Sequence, residues 1–328
     1  MIITRTPLRI SLGGGGTDLP SYYRNSEGGF LVAGAIDKYV YIAVNRYFGS
    51  DILLKYSSIE RVTKPTDVEH PLLREALLAS GIEEGVEISS MADIPAGTGL
   101  GSSGAFTVGV LRALFAHNHQ IMPSEELAEL ACEIEIERLE APVGRQDQYI
   151  AAIGGITALE FLPDDTVNVS PVGLAEVARA RLEENLVLFY TGVSRSAASE
   201  LANQTGLNQG SVPTDLSKNL DAVKALGLDS FEALGAGDLT GFAELLTRQW
   251  KLKLQRSPTE LHDQIDGWIE KGLTAGAGGG KLVGAGGGGF LLFYAENKAG
   301  LRAEMVDLGL QEVRFAFDYE GSTTIVSR

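Results

Sequence analysis

Asp93-Ile-Pro-Ala-Gly-Thr-Gly-Leu-Gly-Ser-Ser-Gly-Ala-Phe106 is a glycine-rich turn that runs directly into apolar residues at helical spacing. Glycine has no Cβ atom and adopts positive φ without strain, so this turn can place several backbone N–H groups around one oxyanion. The helix that follows points the positive end of its dipole at the same place. The turn therefore predicts an ATP phosphate-binding loop, made of Gly97, Gly99, Leu100, Gly101, Ser102, Ser103 and Gly104.

Three other nucleotide-binding patterns fit this turn less well. A Walker A loop ends in Gly-Lys-Ser/Thr, and residues 93–106 contain no lysine. Residues 99–104 match G-x-G-x-x-G, but a dinucleotide-binding fold places an acidic residue at the end of a strand about 20 residues later. Here that position falls at 124–127, where a helix is predicted, so the Rossmann interpretation is weak. The H-R-D and D-F-G motifs of protein kinases are absent from the sequence.

Composition and charge narrow the class of protein. The chain of 328 residues carries 27 Lys and Arg against 43 Asp and Glu, a net charge of −16. This balance argues against nucleic-acid binding and against binding to anionic membranes, so a phosphate substrate must meet local basic residues. Cys132 is the only cysteine, which excludes an intrachain disulfide and favours a reducing compartment. With no signal-peptide pattern at the start, we expect a cytoplasmic protein.

The hydrophobic pattern predicts an α+β fold that is rich in strands at the start, mostly helical from 197 to about 273, and closed by further strands. We predict a domain boundary near residue 184, which gives an N-terminal domain of residues 1–184 and a C-terminal domain of residues 185–328. The predicted strands are 2–12, 30–36, 40–44, 52–56, 86–91, 185–190, 290–295, 313–317 and 323–326. The chain has 40 glycines, and they are concentrated in three clusters at 13–16, 97–104 and 276–289, which indicates sites rather than linkers.

Two acidic residues between the second and third glycine clusters suggest a site for phosphoryl transfer. Glu137 borders the apolar stripe of the helix that begins near Ser124, whereas the neighbouring glutamates, including Glu135, are interpreted as a solvated face. The residues of that stripe are Leu127, Leu130, Ala131 and Ile134. Mg²⁺ binds few protein ligands, and Glu137 with Ser102 or Ser103 fits that requirement. Asp147 follows the helix break at 142–144 and is placed to accept a proton from a substrate hydroxyl.

Arg9 is a further candidate for this phosphoryl-transfer site, and it stands at the end of the first predicted strand beside a glycine turn. An arginine there can stabilise the charge that develops during phosphoryl transfer, or it can hold the base. Together these residues favour a nucleotide-dependent kinase, in which positioning and charge neutralisation matter more than covalent chemistry.

The chain resembles the GHMP kinase superfamily over nearly its whole length. Three glycine motifs of that superfamily occur in order, at residues 6–18, 94–105 and 281–290. The resemblance implies an N-terminal domain like ribosomal protein S5 domain 2, packed on a ferredoxin-like C-terminal domain with the active site between them. It also implies ATP and Mg²⁺ as cofactors and a sugar-1-kinase activity.

The resemblance assigns a role to each matching residue. Asp147 matches the catalytic aspartate and Arg9 the arginine beside it. Ser102 or Ser103 and Glu137 match the magnesium ligands. The substrate-binding residues that it implies are Gly14, Gly15, Gly16, Thr17, Asp18, Arg145, Asp147, Arg195, Gly286 and Gly287.

Within the superfamily the chain most resembles the bacterial D-glycero-D-manno-heptose 7-phosphate kinases. The resembling stretches, beside the glycine turn that ends at Asp18, are residues 143–149, 190–195 and 315–321. This implies phosphorylation of the anomeric hydroxyl to give the 1,7-bisphosphate, a step toward nucleotide-activated heptose for surface polysaccharide. Galactokinases have Gly-Glu-His where this chain has Gly14 to Gly16, which argues against galactose itself.

Other functions stay open beside this one. They are a sugar-1-kinase acting on a free sugar of the fucose or galactose type, and a non-catalytic sensor of sugar and ATP. Asp147 and Glu137 are both present, which disfavours the sensor. The basic residues that could meet a substrate phosphate are Arg145, Arg195, Lys251, Lys253 and Arg256. The expected partners are the sugar (phosphate) and ATP, and a homodimer is compatible with everything in the sequence.

Overall fold

The computed structural model describes residues 1–193, 214–256, 260–284 and 288–327. Within these ranges the strands form two sheets, and helices cover both of them. The strands are β1 Ile2–Gly13, β2 Gly29–Arg46, β3 Ile52–Lys55, β4 Ile59–Val62, β5 Val86–Ala92, β6 Ile156–Phe161, β7 Val167–Pro171, β8 Leu186–Tyr190, β9 Gly279–Val283, β10 Phe290–Tyr294, β11 Gln311–Val313 and β12 Thr323–Ser327. The helices are α1 Pro20–Tyr23, α2 Pro71–Ser80, α3 Ser102–His117, α4 Ser124–Cys132, α5 Gln146–Ile153, α6 Glu176–Asn185, α7 Thr214–Ala236, α8 Leu239–Arg256, α9 Glu260–Thr274 and α10 Lys298–Asp307.

The larger sheet is organised around β1 and β2, which pair antiparallel from Ile2 opposite Val44 to Gly13 opposite Val32. The first part of β2 also pairs with β6 and the last part with β5, while β12 pairs with the outer edge of β1. Helix α3 packs across β1 and β2, and α5 packs beside it. The end of β1 and the start of α3 are thereby brought together.

The smaller sheet has the order β11-β8-β10-β9, and its neighbouring strands are antiparallel. Its core includes Phe189, Trp250 and Phe293, all of them buried. Helix α8 packs on β9 and also reaches β1. Side chains on α8 and β9 therefore lie close to the glycine turn that follows β1.

Four observed strands, β4, β6, β7 and β9, were not predicted. The predicted strands begin and end close to the observed positions, with two differences. The segments 30–36 and 40–44 form one continuous strand, β2, rather than two. The strand predicted at 313–317 is wrong, because β11 ends at Val313 and Phe317 makes only an isolated bridge with Ile36. Within the described ranges no helix combines the length and the apolar character needed to cross a bilayer.

We propose that the domain boundary lies between residues 184 and 185. The proposal is supported by β8, which opens the smaller sheet at Leu186. The division is not a clean cut in sequence, because β12 returns from the end of the chain to the larger sheet.

Candidate active site

The glycine turn before α3 has the conformation that its composition predicts. Gly97, Gly99 and Gly101 have φ values of 81°, 87° and 79°, a left-handed region that other residues rarely adopt. Helix α3 begins at Ser102, and the first N–H groups of a helix have no carbonyl partner within it. A Cβ atom on Gly104 would lie 2.7 Å from Cβ of Asp147. Glycine therefore allows the start of α3 to approach that carboxylate.

Asp147, in the first turn of α5, is held by Arg9 from β1. The Oδ1 atom of Asp147 accepts hydrogen bonds from Nε of Arg9 at 2.7 Å, and Nη2 of Arg9 lies 2.6 Å from it. Nη1 of the same guanidinium donates to the carbonyl of Gly99 at 2.6 Å. Arg9 thus connects the carboxylate directly to the glycine turn, and the two residues come together as predicted.

Asp18 provides a second carboxylate near that of Asp147. Its Oδ1 accepts from the N–H of Gly16 at 3.0 Å, and its Oδ2 accepts from the N–H of Gln146 at 3.2 Å. Burial raises the pKa of Asp18, and the nearby charge of Asp147 raises it further, while these backbone hydrogen bonds oppose the shift. A Cβ atom on Gly144 would lie 1.8 Å from Oδ2 of Asp18, so glycine leaves room for the carboxylate.

Two other residues of the turn at 13–18, Thr17 and Gly14, were predicted to bind substrate, but in the structure they do not line the cavity. The Thr17 side chain is fully buried, and its hydroxyl bonds to the backbone carbonyls of Gly14 and Phe30 at 2.9 Å each. Gly14 packs against β2, since a Cβ atom there would lie 2.1 Å from the carbonyl oxygen of Phe30. Both shape the turn, whereas Gly15 and Gly16 line the adjoining cavity.

The glutamate near the serines is Glu135, not Glu137. Glu135 is 2% exposed; its Oε2 accepts from Oγ of Ser103 at 2.8 Å and its Oε1 from Nε2 of Gln148 at 3.0 Å. Burial raises the pKa of Glu135, and the hydrogen bonds from Ser103 and Gln148 oppose that shift. Glu137 is exposed and pairs with Arg24 at 2.7 Å. The prediction that Glu137 faces the serines is therefore wrong.

A signal for Glu135 was present in the sequence. Glu135 follows buried residues at the helical spacings of 3, 4, 7 and 8, which are Cys132, Ala131, Ala128 and Leu127. The predicted stripe ran through Leu130, which is only half-buried, and left out the two small residues at 128 and 132. Residues 133–138 also form a π-helical turn, a feature often found at functional sites.

The residues around Glu135 suit a Mg²⁺ ion. The Ser102 hydroxyl is buried and has no hydrogen-bond partner among the described residues. One carboxylate and one hydroxyl are a usual protein share of magnesium coordination, with phosphate and water oxygens supplying the rest. The described part of the chain contains no cluster of three or more metal-binding side chains, so an ion here would depend on the nucleotide phosphates.

Arg145 was predicted to bind substrate, but its side chain points into the protein. Its side chain is 6% exposed and is paired with Glu129, while Nη1 donates to the carbonyl of Asp165. Tyr149 donates to the same Glu129 at 2.6 Å. Arg145 therefore secures the start of α5 and does not reach an acceptor phosphate. Arg195, Gly286 and Gly287, the remaining predicted residues, lie outside the described residues.

Replacing Arg145 with glutamine should lower the free energy of unfolding by about 1–3 kcal/mol, because the buried guanidinium makes charge-assisted hydrogen bonds that glutamine does not reproduce. Urea denaturation would measure this, and the KM values for both substrates should stay within about twofold of wild type. Arg181, whose exposed ion pair with Glu296 is 2.8 Å long, provides a control, with an expected effect below about 1 kcal/mol. Unchanged stability in the Arg145 variant would contradict its structural role.

The carboxylates open onto a cavity of about 390 Å³. Arg9, Asp18 and Asp147 line it from the first part of the chain, and Lys253, Arg256 and Lys281 line it from α8 and β9. Ser11, Gln146 and Gln249 also line the cavity and were not predicted. Whether these side chains line the cavity depends on how the two sheets and their helices pack together, which a local sequence pattern does not predict.

Comparison with known proteins agrees with this geometry. Residues 68–155 match the family model described as the GHMP kinases N terminal domain, and residues 230–306 match GHMP kinases C terminal. D-glycero-alpha-D-manno-heptose 7-phosphate kinase of Campylobacter jejuni is 29% identical over 310 residues, covering 90% of this chain and 89% of the relative. Galactokinase of Pyrococcus furiosus is 27% identical, covering 88% and 87%.

A solved structure extends the likeness to the fold. The D-glycero-D-manno-heptose 1-phosphate kinase from Bacteriodes thetaiotaomicron superposes with a TM-score of 0.79 at 26% identity, and the match covers 99% of each chain. The matched domains and the Arg9–Asp147 pair at the glycine turn agree with the α+β architecture predicted from the three motifs. The chain therefore belongs to the GHMP kinase family and is an ATP-dependent phosphotransferase.

Proposed function

We propose that this kinase is a sugar kinase that phosphorylates the anomeric hydroxyl of D-glycero-D-manno-heptose 7-phosphate and releases the 1,7-bisphosphate and ADP. Two relatives named as heptose phosphate kinases support this substrate. The observation that carries the proposal is the carboxylate of Asp147, fixed by Arg9 beside the glycine turn and open to a cavity with further basic residues. The product would serve nucleotide-activated heptose and surface polysaccharide synthesis.

In the proposed reaction each residue has one role. Asp147 accepts the proton of the anomeric hydroxyl as the oxygen attacks the γ-phosphorus of ATP, and the bond to ADP breaks. Arg9 holds Asp147 in place, and Asp18 binds hydroxyl groups of the sugar. The backbone N–H groups of the glycine turn bind the ATP phosphates. Mg²⁺, held by Ser102 or Ser103 with Glu135, would neutralise phosphate charge when bound.

A second candidate is a sugar-1-kinase that takes a free sugar, which the galactokinase relative supports. The two candidates differ in whether the acceptor already carries a phosphate. The names of the heptose kinases also differ in the phosphate that they mention, at carbon 7 in one and carbon 1 in the other. The position of the new phosphate therefore has to be measured.

The test is a panel of acceptors with the purified kinase, ATP and Mg²⁺. We expect heptose 7-phosphate to have a higher kcat/KM than free heptose, galactose or fucose, by roughly two orders of magnitude, because a buried charged site discriminates strongly against an acceptor lacking its partner. Phosphorus NMR of the product should show a new anomeric phosphate beside the original one. Preference for galactose or fucose would refute the heptose assignment.

A further inference from the structure

Three basic side chains from the second part of the chain line the cavity that holds Asp18 and Asp147. They are Lys253 and Arg256 at the end of α8 and Lys281 in β9. The chain as a whole carries a net charge of −16, so this concentration of positive charge is local. Such a group favours an anionic ligand, because burial penalises charges that have no partner.

The three side chains differ in what they contact. Nζ of Lys281 donates to Oε1 of Gln249 at 3.1 Å, and Nζ of Lys253 donates to the carbonyl of Gly284. Nη1 of Arg256 is buried and has no hydrogen-bond partner among the described residues. A guanidinium presents a planar set of donors that matches phosphate oxygens. Among the three, Arg256 therefore combines a planar set of donors with a buried N–H group that has no partner among the described residues.

Arg256 lies against the turn that carries Asp18, not against the turn proposed for ATP. A Cβ atom on Gly16 would lie 3.2 Å from Nη1 and 3.5 Å from Nη2 of Arg256. Burial lowers the pKa of Arg256, and the carboxylate of Asp18 partly offsets this shift. The ATP turn is contacted by a different guanidinium, that of Arg9. Because Arg256 contacts the turn of Asp18 and Arg9 contacts the ATP turn, Arg256 lies at the end of the cavity where the acceptor sugar is proposed to bind.

Lys253 extends the same positive surface toward the centre of the site. Its partner Gly284 packs on the ATP turn, since a Cβ atom there would lie 2.6 Å from Cα of Gly99. Burial lowers the pKa of Lys253 to about 7, and the positive charges of Arg256 and Lys281 add to the shift. A phosphate dianion beside Arg256 and Lys253 would relieve this repulsion.

We propose that Arg256, assisted by Lys253, binds the phosphate group that the acceptor sugar already carries, and that this contact selects phosphorylated over free sugars. The proposal rests on the proposed function for the identity of the sugar, but the subsite itself is argued from the side chains. It also distinguishes Arg256 from the other basic residues that the sequence analysis named as candidates for binding a substrate phosphate.

Steady-state kinetics with paired acceptors would test this subsite. In Arg256→Gln we expect KM for heptose 7-phosphate to rise roughly 10- to 50-fold, the effect of losing hydrogen bonds to a charged group. KM for ATP and kcat/KM for free heptose should stay within about twofold, because neither depends on the lost contact. Arg256→Lys should recover part of the loss. Arg248→Gln, an exposed position on the same helix, is the matched control and should behave as wild type.

An equal loss with both acceptors, or a raised KM for ATP, would overturn the subsite. Thermal unfolding of each variant would show whether the fold is intact, and Lys253→Gln provides a second variant with the same expected selectivity for the phosphorylated sugar. If wild type prefers another phosphorylated sugar, the same comparison with that sugar and its free form would support the subsite while refuting the heptose assignment. A wild-type preference for free sugars would overturn the subsite.

Discussion

Replacing Asp147 with asparagine should lower kcat about 10²- to 10⁴-fold, the usual contribution of a positioned general base. Asparagine keeps an oxygen that can accept from Arg9, so the fixed geometry of this pair should largely persist. It cannot take up the proton of the attacking hydroxyl. KM for ATP should stay within about twofold, because the nucleotide is proposed to bind the separate glycine turn. Initial rates of ADP release would measure both constants.

Asp229→Asn provides a control for this substitution, since Asp229 is an exposed aspartate on α7. It should leave kcat unchanged within about twofold. Thermal unfolding of both variants would show that the fold survives. Near-normal turnover by Asp147→Asn would show that the carboxylate only orients the sugar hydroxyl, and the assignment of Asp147 as the base would be wrong.

The glycine turn could be predicted from the sequence because its structure is determined locally. Positive φ at Gly97, Gly99 and Gly101 follows from residue type, and the apolar spacing beyond them predicts α3. The pairing of Arg9 with Asp147 joins residues 138 positions apart, and no local pattern predicts such a contact. It was found only because three motifs occur in the order that the kinase superfamily shows.

Membership of a motif did not reveal where a side chain points. Thr17 lies in the first motif and Arg145 in the resembling stretch 143–149, and both stand next to residues that line the cavity. Both side chains nevertheless turn inward, that of Arg145 to Glu129 and that of Thr17 to the backbone of its own turn. The opposite holds for Arg256, which belongs to none of the three motifs and faces the cavity. Its position follows from the packing of α8 between the two sheets, which depends on long-range contacts.

The prediction that Glu135 lies on a solvated face failed for a different reason, because small residues were left out of the predicted buried stripe. Small residues such as Ala128 and Cys132 can be as fully buried as leucine where another helix packs closely. Counting them moves the buried face of α4 toward Glu135. A buried carboxylate without a basic partner among the described residues then becomes the candidate for a cation.

Glu135→Gln should raise the Mg²⁺ concentration needed for half-maximal activity by on the order of 10²-fold, since loss of an outer-sphere partner alone costs roughly 10- to 100-fold in metal affinity. The amide keeps the size of the side chain and one of its two accepting oxygens, and it removes the charge. Calorimetric titration of Mg²⁺ into the complex with a non-hydrolysable ATP analogue would measure the same loss without turnover.

Glu137→Gln is the matched control, because it removes the same charge two residues away, at an exposed carboxylate paired with Arg24. Its Mg²⁺ titration should coincide with that of wild type, since screening makes an exposed charge contribute little to a site elsewhere. A shifted titration in Glu137→Gln with an unshifted one in Glu135→Gln would refute the assignment and return the metal to the residue predicted first. A shift in Glu135→Gln alone would place Mg²⁺ beside Ser103, at the start of α3 where the ATP phosphates are proposed to bind.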